Sequence, residues 1–427
     1  MKPKTAPLFL LVFVLCFSAS NAQAESTELS PEHIKQTIRN FSKAVQAKDT
    51  SLLSESVSPH FALSIDTWPV SRSYMQTIFQ NMTIDSIVPI DGKIMAKRGR
   101  FKQKTEAMVF VNGREPIKTN ITFDARNGKI LYVDYFDNLY SMHRNRPSQL
   151  AAILPFEEES SGAIIVQIKI NDHPEPLRFL FDTGADGMAI SEEAAEKAGV
   201  RANRQQGAHV VGGQRQILVS QGNTVHIDTL KLLQQNMAIF EKVRDGIDGL
   251  LGINLARNHI IRVNFDEKKI FIYTFGDYDY GSEGEVEYIT RPSGILHIPG
   301  FLNLTGNRIT EGNFVFDTGA EYYFMGFAPF VRRNRLLLTG FKPEREGTTV
   351  SMGITTPVFY GTAHEFGFGE IIRQNHIPVT LQGSTSANAN WNPGTDGSVG
   401  IRLISQYNFT INLMEKEIHF APRKNTK

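Results

Sequence analysis

The sequence predicts a multidomain protein in which an α+β unit precedes a longer, mostly β part built from two related lobes. Two observations support this fold class. Apolar residues at helical spacing give way, further along the chain, to short apolar runs separated by turn residues. An internal repeat then occurs in the later part of the chain, and duplicated sequence indicates duplicated structure. The 427 residues are enough for two or three domains.

Residues 1–24 have the pattern of a secretory signal peptide. A basic start with Lys2 and Lys4 precedes an apolar run over residues 8–17 and a small-x-small signal ending at Ala24. The run is well short of the ~20 residues that a membrane-spanning helix needs. We therefore expect cleavage near Ala24 and an exported protein, periplasmic or secreted, that keeps no stable membrane anchor.

The amino-acid composition of the exported chain excludes some kinds of chemistry and some kinds of partner. Cys16 is the single cysteine and leaves with the signal, so we expect neither disulfides nor thiol chemistry. Removing Lys2 and Lys4 changes the formal net charge from +1 to −1, and no basic excess indicates a nucleic-acid partner. An exported chain without cysteine suits a bacterial envelope.

Residues 25–142 are predicted to form the α+β unit. Ser30 is placed to cap a helix that starts at Pro31, and Thr50 to cap a short second helix. After Ile84 the pattern changes to short strands. The first helix is predicted to bury Ile34, Ile38, Phe41 and Val45, and hairpin turns are predicted at Asp91-Gly92, Asn112-Gly113 and Asn127-Gly128.

This segment resembles the nuclear-transport-factor-like family of cone-shaped α+β rolls. The resemblance covers residues 28–142 and rests on the helix, the turn AKDTSLL and a closing strand GKILYVDYFDNLY. The resemblance implies a cone-shaped roll. Whether the roll binds a protein or a small ligand stays open, because this fold alone does not determine an activity. Asp134, Asp137 and His143 form a conceivable catalytic set there, but strand-end and surface roles are favoured.

The remaining chain is predicted to contain a linker over residues 143–158, a first lobe over 159–275 and a second lobe over 276–427. Apolar residues alternate over residues 164–170, as expected of a strand with one well-buried face. Two segments, GINLARNHIIRVNFDEKKIFIY from Gly252 and GIRLISQYNFTINLMEKEIHFA from Gly400, align without a gap. Duplication of one lobe explains this match.

The tripeptide Asp-Thr-Gly also occurs twice, each time after an apolar strand and ahead of one copy of the repeat. A turn is the simplest interpretation of a single copy, since Asp and Gly are favoured turn residues. Two equivalently placed copies favour a duplicated functional loop instead. The copies are Asp182-Thr183-Gly184 and Asp317-Thr318-Gly319, in the frames RFLFDTGA and FVFDTGA.

Together these motifs resemble the aspartic peptidases, in the single-chain bilobal form that pepsin has. The residues around each Asp-Thr-Gly are similar to those of the retroviral-type and bacterial members of that family. The resemblance covers residues 153–423. It implies Asp182 and Asp317 as catalytic residues and an apolar-apolar-Gly strand passing beneath each loop, the psi structure. Ser398 departs from that pattern and is expected to weaken the second half-site. The implied supporting residues are Thr183, Gly184, Thr318 and Gly319, and the psi residues are Leu250, Leu251, Gly252, Ser398, Val399 and Gly400.

Two carboxylates in contact explain why an aspartate follows a buried strand. The pair cannot easily ionise twice, so it holds one proton between its members. The ionised member then activates water as a general base, and the protonated member polarises the peptide carbonyl. This chemistry requires no cofactor and no metal. No zinc site is predicted either, because Phe368 stands where a helical zinc motif starting at His364 would place its second histidine.

A flap over the cleft is predicted at the segment HVVGGQRQI, with Val211, Gly212, Gly213 and Gln214 at its tip. An ordinary Gly-Gly hairpin is the alternative interpretation, and both interpretations predict the same hairpin. The second lobe's VSMGITTPVF is its counterpart and is predicted to be a structural turn.

The sequence thus predicts an exported aspartic endopeptidase acting as a monomer on peptide or protein substrates, with lobes that work without the roll. The alternative is a non-catalytic envelope protein that keeps the cleft and binds peptides or another ligand. Ala185 and Ala320 stand where pepsin-like members have a Ser or Thr whose hydroxyl donates to the catalytic carboxylate. Without that donor, activity is expected at weakly acidic to near-neutral pH.

Overall fold

A computed structural model of the chain describes three parts, an N-terminal α+β unit and two β lobes. None of the helices in the described part combines the length and apolar character that a bilayer crossing needs. The described residues are 29–90, 95–96, 102–210, 213–290, 294–351, 354–368, 372–385, 388 and 391–424.

The N-terminal unit packs helices against one antiparallel sheet in the order β3-β5-β6-β7, with β4 on β5. The predicted cap is confirmed, because Ser30 Oγ accepts a hydrogen bond from the His33 amide at 3.3 Å. The elements are α1 (Pro31–Gln46), α2 (Leu53–Ser56), β1 (Ala62–Leu63), β2 (Asp66–Thr67), α3 (Val70–Asn81), β3 (Ile84–Pro89), β4 (Met95–Ala96), β5 (Lys102–Val111), β6 (Ile117–Asp124), β7 (Lys129–Val133) and α4 (Asp134–Leu139).

Three local predictions for this unit were wrong or incomplete. Thr50 does not cap α2, and its hydroxyl accepts a hydrogen bond from Arg72 instead. The predicted closing strand ends at Val133, and α4 follows it. Helix α3 was not predicted, although Met75, Ile78 and Phe79 give it a buried face at helical spacing. The likeness to a nuclear-transport-factor-like roll stays a prediction.

The first lobe is a closed barrel of six strands in the order β9-β10-β15-β11-β14-β13, with β13 pairing back onto β9. The predicted strand over residues 164–170 is confirmed as β9. Strand β8 lies within the segment predicted to be a linker. The elements are β8 (Leu150–Glu158), β9 (Ile164–Ile170), β10 (Leu177–Asp182), β11 (Met188–Ser191), α5 (Glu192–Lys197), β12 (Arg204–Val210), β13 (Gly213–Ile227), β14 (Leu230–Phe240), β15 (Gly249–Gly252), β16 (His259–Asn264) and β17 (Lys269–Thr274).

The second lobe repeats this closed barrel in the order β19-β20-β25-β21-β24-β23, with β23 pairing back onto β19. The predicted duplication is therefore present in three dimensions. The elements are β18 (Glu285–Tyr288), β19 (His297–Asn303), β20 (Ile309–Asp317), β21 (Phe324–Gly326), α6 (Ala328–Arg333), β22 (Arg345–Ser351), β23 (Ile354–Phe368), β24 (Ile372–Gln382), β25 (Gly397–Gly400), α7 (Ile401–Ile404), β26 (Tyr407–Asn412) and β27 (Glu417–Pro422).

A sheet in the order β8-β17-β16-β26-β27-β18 joins the lobes. Its centre is the antiparallel pair β16 and β26, where Ile261 lies opposite Ile411. These two strands are equivalent segments of the sequence repeat, so the sheet has approximate two-fold symmetry. The apolar residues of both lobes and of this sheet form one continuous core. The shared core fixes the two Asp-Thr-Gly loops relative to each other.

The N-terminal unit docks on the second copy of the repeat through buried charges. Lys102 of β5 donates to Glu415 at 2.8 Å and to Glu417 at 2.5 Å. Arg144 pairs with Asp137 at 2.6 Å and with Glu415 at 3.3 Å, while the Tyr132 hydroxyl donates to the Glu415 carbonyl at 2.8 Å. The side chains of Lys102 and Arg144 are only 1% and 2% exposed.

Candidate active site

The two Asp-Thr-Gly loops end equivalent strands and lie beside equivalent psi strands. Asp182, the last residue of β10, is in parallel register with Gly252, and Asp317, the last residue of β20, is in register with Gly400. The chain then turns in the same way on both sides, since the amide of Ile253 donates to Ala185 O at 2.9 Å and that of Ile401 to Ala320 O at 2.8 Å. The predicted psi arrangement is therefore present in both lobes.

Glycine is required where each psi strand passes the loop. A Cβ on Gly252 would lie 2.1 Å from the carbonyl oxygen of Gly187, and a Cβ on Gly400 would lie 2.2 Å from that of Tyr322. Both distances are impossible for non-bonded atoms, so a larger residue would push the loop out of place. Leu251 and Val399, one residue earlier, are fully buried in the core.

The two threonines brace the loops against each other. Thr183 Oγ1 donates to the carbonyl of Phe316 at 2.5 Å and accepts from the amide of Thr318 at 3.1 Å. Thr318 Oγ1 donates to the carbonyl of Phe181 at 2.8 Å and accepts from the amide of Thr183 at 3.0 Å. These four reciprocal bonds are fully buried and hold the loops in a fixed relation.

Each threonine hydroxyl hydrogen-bonds to a backbone carbonyl and a backbone amide of the opposite loop. Replacing either threonine by valine should therefore destabilise the folded protein. Thr183→Val would leave the Phe316 carbonyl and the Thr318 amide without this partner in a buried site, and we expect a loss of about 1–3 kcal/mol in the free energy of unfolding. Urea unfolding measures the loss. Thr183→Ser keeps the hydroxyl and should lose much less, so equal losses in the two variants would contradict the role given to the hydroxyl.

The bracing places the carboxyl groups side by side. A Cβ on Gly184 would lie 2.6 Å from Asp317 Cγ, and a Cβ on Gly319 would lie 2.3 Å from Asp182 Cγ, so each carboxyl occupies the space beside the other loop's glycine. The Gly184 amide donates to Asp182 Oδ1 at 2.9 Å, and the Gly319 amide donates to Asp317 Oδ1 at 3.0 Å.

This environment favours a shared proton. Burial raises the pKa of Asp182, although amide hydrogen bonds from the loop partly oppose that rise. Burial, together with the charge of Asp182, raises the pKa of Asp317 well above its ordinary value. The protons belong to the pair rather than to either residue, and the second ionisation is suppressed. The pair can therefore supply a general base and a general acid at once.

Comparison with known proteins agrees with this geometry. Residues 166–255 match the family model described as Aspartyl protease. This match supports an aspartyl protease. The two six-stranded barrels also fit a bilobal aspartyl protease fold.

One solved structure that is similar to this chain is described as the crystal structure of aspartic proteinase from Irpex lacteus. The chains share 12% sequence identity with a TM-score of 0.42, over 65% of this chain and 98% of that one. No curated protein gives a significant match.

The expectation that Ser398 weakens the second half-site stays a prediction. Ala185 and Ala320 provide no hydroxyl after the loop glycines, as the sequence shows, but a hydroxyl reaches one carboxylate from another position. The Ser398 hydroxyl donates to Asp317 Oδ2 at 3.3 Å. The donor therefore comes from the psi strand rather than from the residue after the glycine. Leu250 occupies the equivalent position beneath Asp182.

The predicted flap lies in a hairpin formed by β12 and β13. Val210 pairs with Gly213, whereas Val211 and Gly212 lie outside the described residues, and no side-chain placement is described for Gln214. In the counterpart hairpin of β22 and β23, Ser351 pairs with Ile354, and residues 352–353 are likewise outside the described part. The role of the first hairpin as a flap stays a prediction.

The conceivable set in the N-terminal unit is not a catalytic arrangement. Surface roles were favoured for its members, but Asp137 is buried and paired with Arg144, and Asp134 accepts a hydrogen bond from Asn120 at 2.9 Å. His143 contacts Asn138 instead. Within the described ranges, no group of three or more His, Cys, Asp or Glu side chains is arranged to hold a metal ion.

Proposed function

We propose that the protein is an exported aspartic endopeptidase that hydrolyses peptide bonds with a water molecule activated between Asp182 and Asp317. One observation carries this proposal: two half-buried carboxyl groups lie beside each other's loop glycine and have raised pKa values, so they hold one proton between them. The family match over the first lobe supports a peptidase.

The reaction follows from that single proton. The ionised carboxylate takes a proton from the water as its oxygen bonds to the peptide carbonyl carbon, while the protonated carboxyl donates its proton to the carbonyl oxygen. The resulting tetrahedral species loses its C–N bond when a proton passes to the leaving nitrogen. The products are a carboxylic acid and an amine, one water molecule is consumed, and the pair again holds one proton. No cofactor or metal ion takes part in these steps.

A peptide in extended conformation is the substrate that suits this cleft. The hairpin of β12 and β13 belongs to the barrel that carries Asp182, and we propose that it closes over the bound chain and excludes water. Export to a periplasm-like compartment rests on the predicted signal peptide and remains part of the proposal.

Incubation with a mixed peptide library tests the proposal. We expect cleavage within peptides rather than at their ends, and inhibition by a peptide mimic that carries a central hydroxyl in place of the scissile carbonyl, because such a mimic resembles the tetrahedral species. Mass spectrometry of the fragments locates each cut. Tight binding of peptides without any cleavage would instead indicate the non-catalytic binding protein.

The enzyme should also work as a monomer, because both half-sites belong to one chain. We expect the initial rate of peptide hydrolysis to be proportional to protein concentration over a wide dilution series. A rate that falls more steeply than the concentration at high dilution would show that a second copy is needed.

A further inference from the structure

We propose that the Ser398 hydroxyl positions the Asp317 carboxylate through a hydrogen bond and sets the pH range in which the aspartate pair works. The inference rests on the proposed function and deepens it, because it makes the two aspartates chemically unequal. Ser398 does not contact the substrate carbonyl in this proposal, so it is a positioning residue.

The psi strands provide the first inequality. Ser398 lies opposite Val315 in the pair of β25 and β20, and Leu250 lies opposite Leu180 in the equivalent pair of β15 and β10. The side chain two residues before the glycine therefore sits beneath the carboxyl in each lobe. Beneath Asp317 it is a hydroxyl that donates at 3.3 Å, whereas beneath Asp182 it is an alkyl group.

Leu250 belongs to a small apolar cluster that leaves no donor at this position. The cluster contains Leu180 and Leu250 with Ala163, Ile165, Val243 and Ile247.

The loops provide the second inequality. The ring of Tyr322 lies beside Gly400 of the psi strand, since a Cβ built on Gly400 would lie 2.8 Å from Tyr322 Cδ2. The loop position equivalent to Tyr322 in the first lobe is Gly187, which has no side chain.

Both oxygens of Asp317 consequently have a donor. The Gly319 amide holds Oδ1 and Ser398 holds Oδ2, so the plane of the carboxylate is fixed. Donors to a carboxylate favour its ionised form and lower its pKa, and the Ser398 hydroxyl acts in this direction against the effect of burial. Removing the hydroxyl should therefore move the titration of the pair to higher pH.

The titratable groups around Ser398 do not replace this effect. Among the described residues, those that face it are Asp317 itself, Asp182 from the first loop and Tyr322 from the second. Other ionisable side chains nearby have partners of their own: His297 contacts Asn313 at 3.4 Å, and Glu321 pairs with Arg244 at 2.9 Å.

The test compares Ser398→Ala and Ser398→Thr with the wild type by two measurements. One is the pH profile of kcat/KM on a peptide substrate. The other is the carboxyl ¹³C titration of protein labelled at aspartate Cγ, with the pair assigned by the Asp182→Asn and Asp317→Asn spectra, which needs no activity. For Ser398→Ala we expect both titrations to move up by roughly one pH unit, and kcat to fall by roughly tenfold with little change in KM.

Ser398→Thr keeps a hydroxyl and should restore the wild-type values. Ser405→Ala, at a buried serine whose hydroxyl lies against Gly162 rather than the pair, is the matched control and should leave both titrations unchanged. If Ser398→Ala does not fold, Ser398→Cys carries the test, because a thiol of similar size is a much weaker donor and should shift both titrations in the same direction.

The outcomes separate the role of Ser398 from the proposed function. Wild-type hydrolysis with unchanged titrations in Ser398→Ala would overturn the role of Ser398 and leave the peptidase proposal standing. Shifted ¹³C titrations in a protein that cleaves no peptide would support the role of Ser398 and overturn the peptidase proposal.

Discussion

Replacing either Asp182 or Asp317 by asparagine is expected to lower kcat/KM for peptide hydrolysis by about 10³- to 10⁴-fold, because one carboxyl group cannot serve as base and acid together. The amide is nearly the same size and can still accept the loop amide's hydrogen bond. Kinetics on one peptide substrate, with both single variants and the wild type, measures the loss. Comparable turnover by either variant would contradict the mechanism.

The same variants should not be less stable at neutral pH, and this separates lost chemistry from lost structure. A carboxyl whose pKa is higher in the folded state than in the unfolded state binds more protons when folded, so its contribution to stability falls as pH rises from about 4 through the folded pKa. The pKa values of Asp182 and Asp317 are both raised. Asparagine removes the ionisation, so the advantage of each variant in urea unfolding should grow with pH over that window.

The second large effect is expected at the interface between the N-terminal unit and the repeat. Burial alone would lower the pKa of Lys102, but Glu415 and Glu417 outweigh burial and raise it, so the lysine is charged in its buried position. Lys102→Met would remove one cation from two buried carboxylates, and Glu415 would keep its pair with Arg144. We expect a loss of about 3–5 kcal/mol in the free energy of unfolding, because breaking a buried ion pair from one side leaves an uncompensated charge.

The first copy of the repeat supplies a matched control. Its residues Glu267 and Lys269 are equivalent to Glu415 and Glu417, but their side chains are 48% and 43% exposed and 3.8 Å apart. Lys269→Met should change the free energy of unfolding by less than about 1 kcal/mol, since exposed ion pairs contribute little. Equal effects of Lys102→Met and Lys269→Met in urea unfolding would show that the buried charges are not what holds this interface.

The contacts of this interface could not be predicted from local sequence. The motif Asn-x-x-Glu-Lys occurs in both copies of the repeat, and nothing in it shows that only Glu415 would be covered by another unit. Lys102 and Glu415 are 313 residues apart, so their pairing depends on how two folded parts dock. The expectation that the lobes work without the N-terminal unit stays a prediction. A protein beginning at Leu150 would return Glu415 and Glu417 to water.

In the candidate active site, too, features set by neighbouring residues could be predicted from the sequence, and contacts between distant residues could not. Asp182, Asp317 and the two threonines could be predicted because each loop repeats one tripeptide after an apolar strand. The strand that closes the N-terminal unit was extended too far, because Tyr135 and Phe136 suit a strand as well as the buried side of α4.

Ser398 was missed as a partner of Asp317. A departure from an apolar pattern does not reveal that its hydroxyl meets a carboxylate 81 residues away. The contrast with Leu250, at the equivalent position of the first psi strand, was the available signal.

A crystal structure of the protein with a peptide mimic bearing a central hydroxyl would test the central claim most directly. The account predicts that the hydroxyl lies within hydrogen-bond distance of carboxyl oxygens of both Asp182 and Asp317, with the peptide extended between the lobes under the hairpin of β12 and β13. A mimic bound elsewhere, or bound in the cleft with its hydroxyl out of reach of one aspartate, would contradict a water molecule activated between the two.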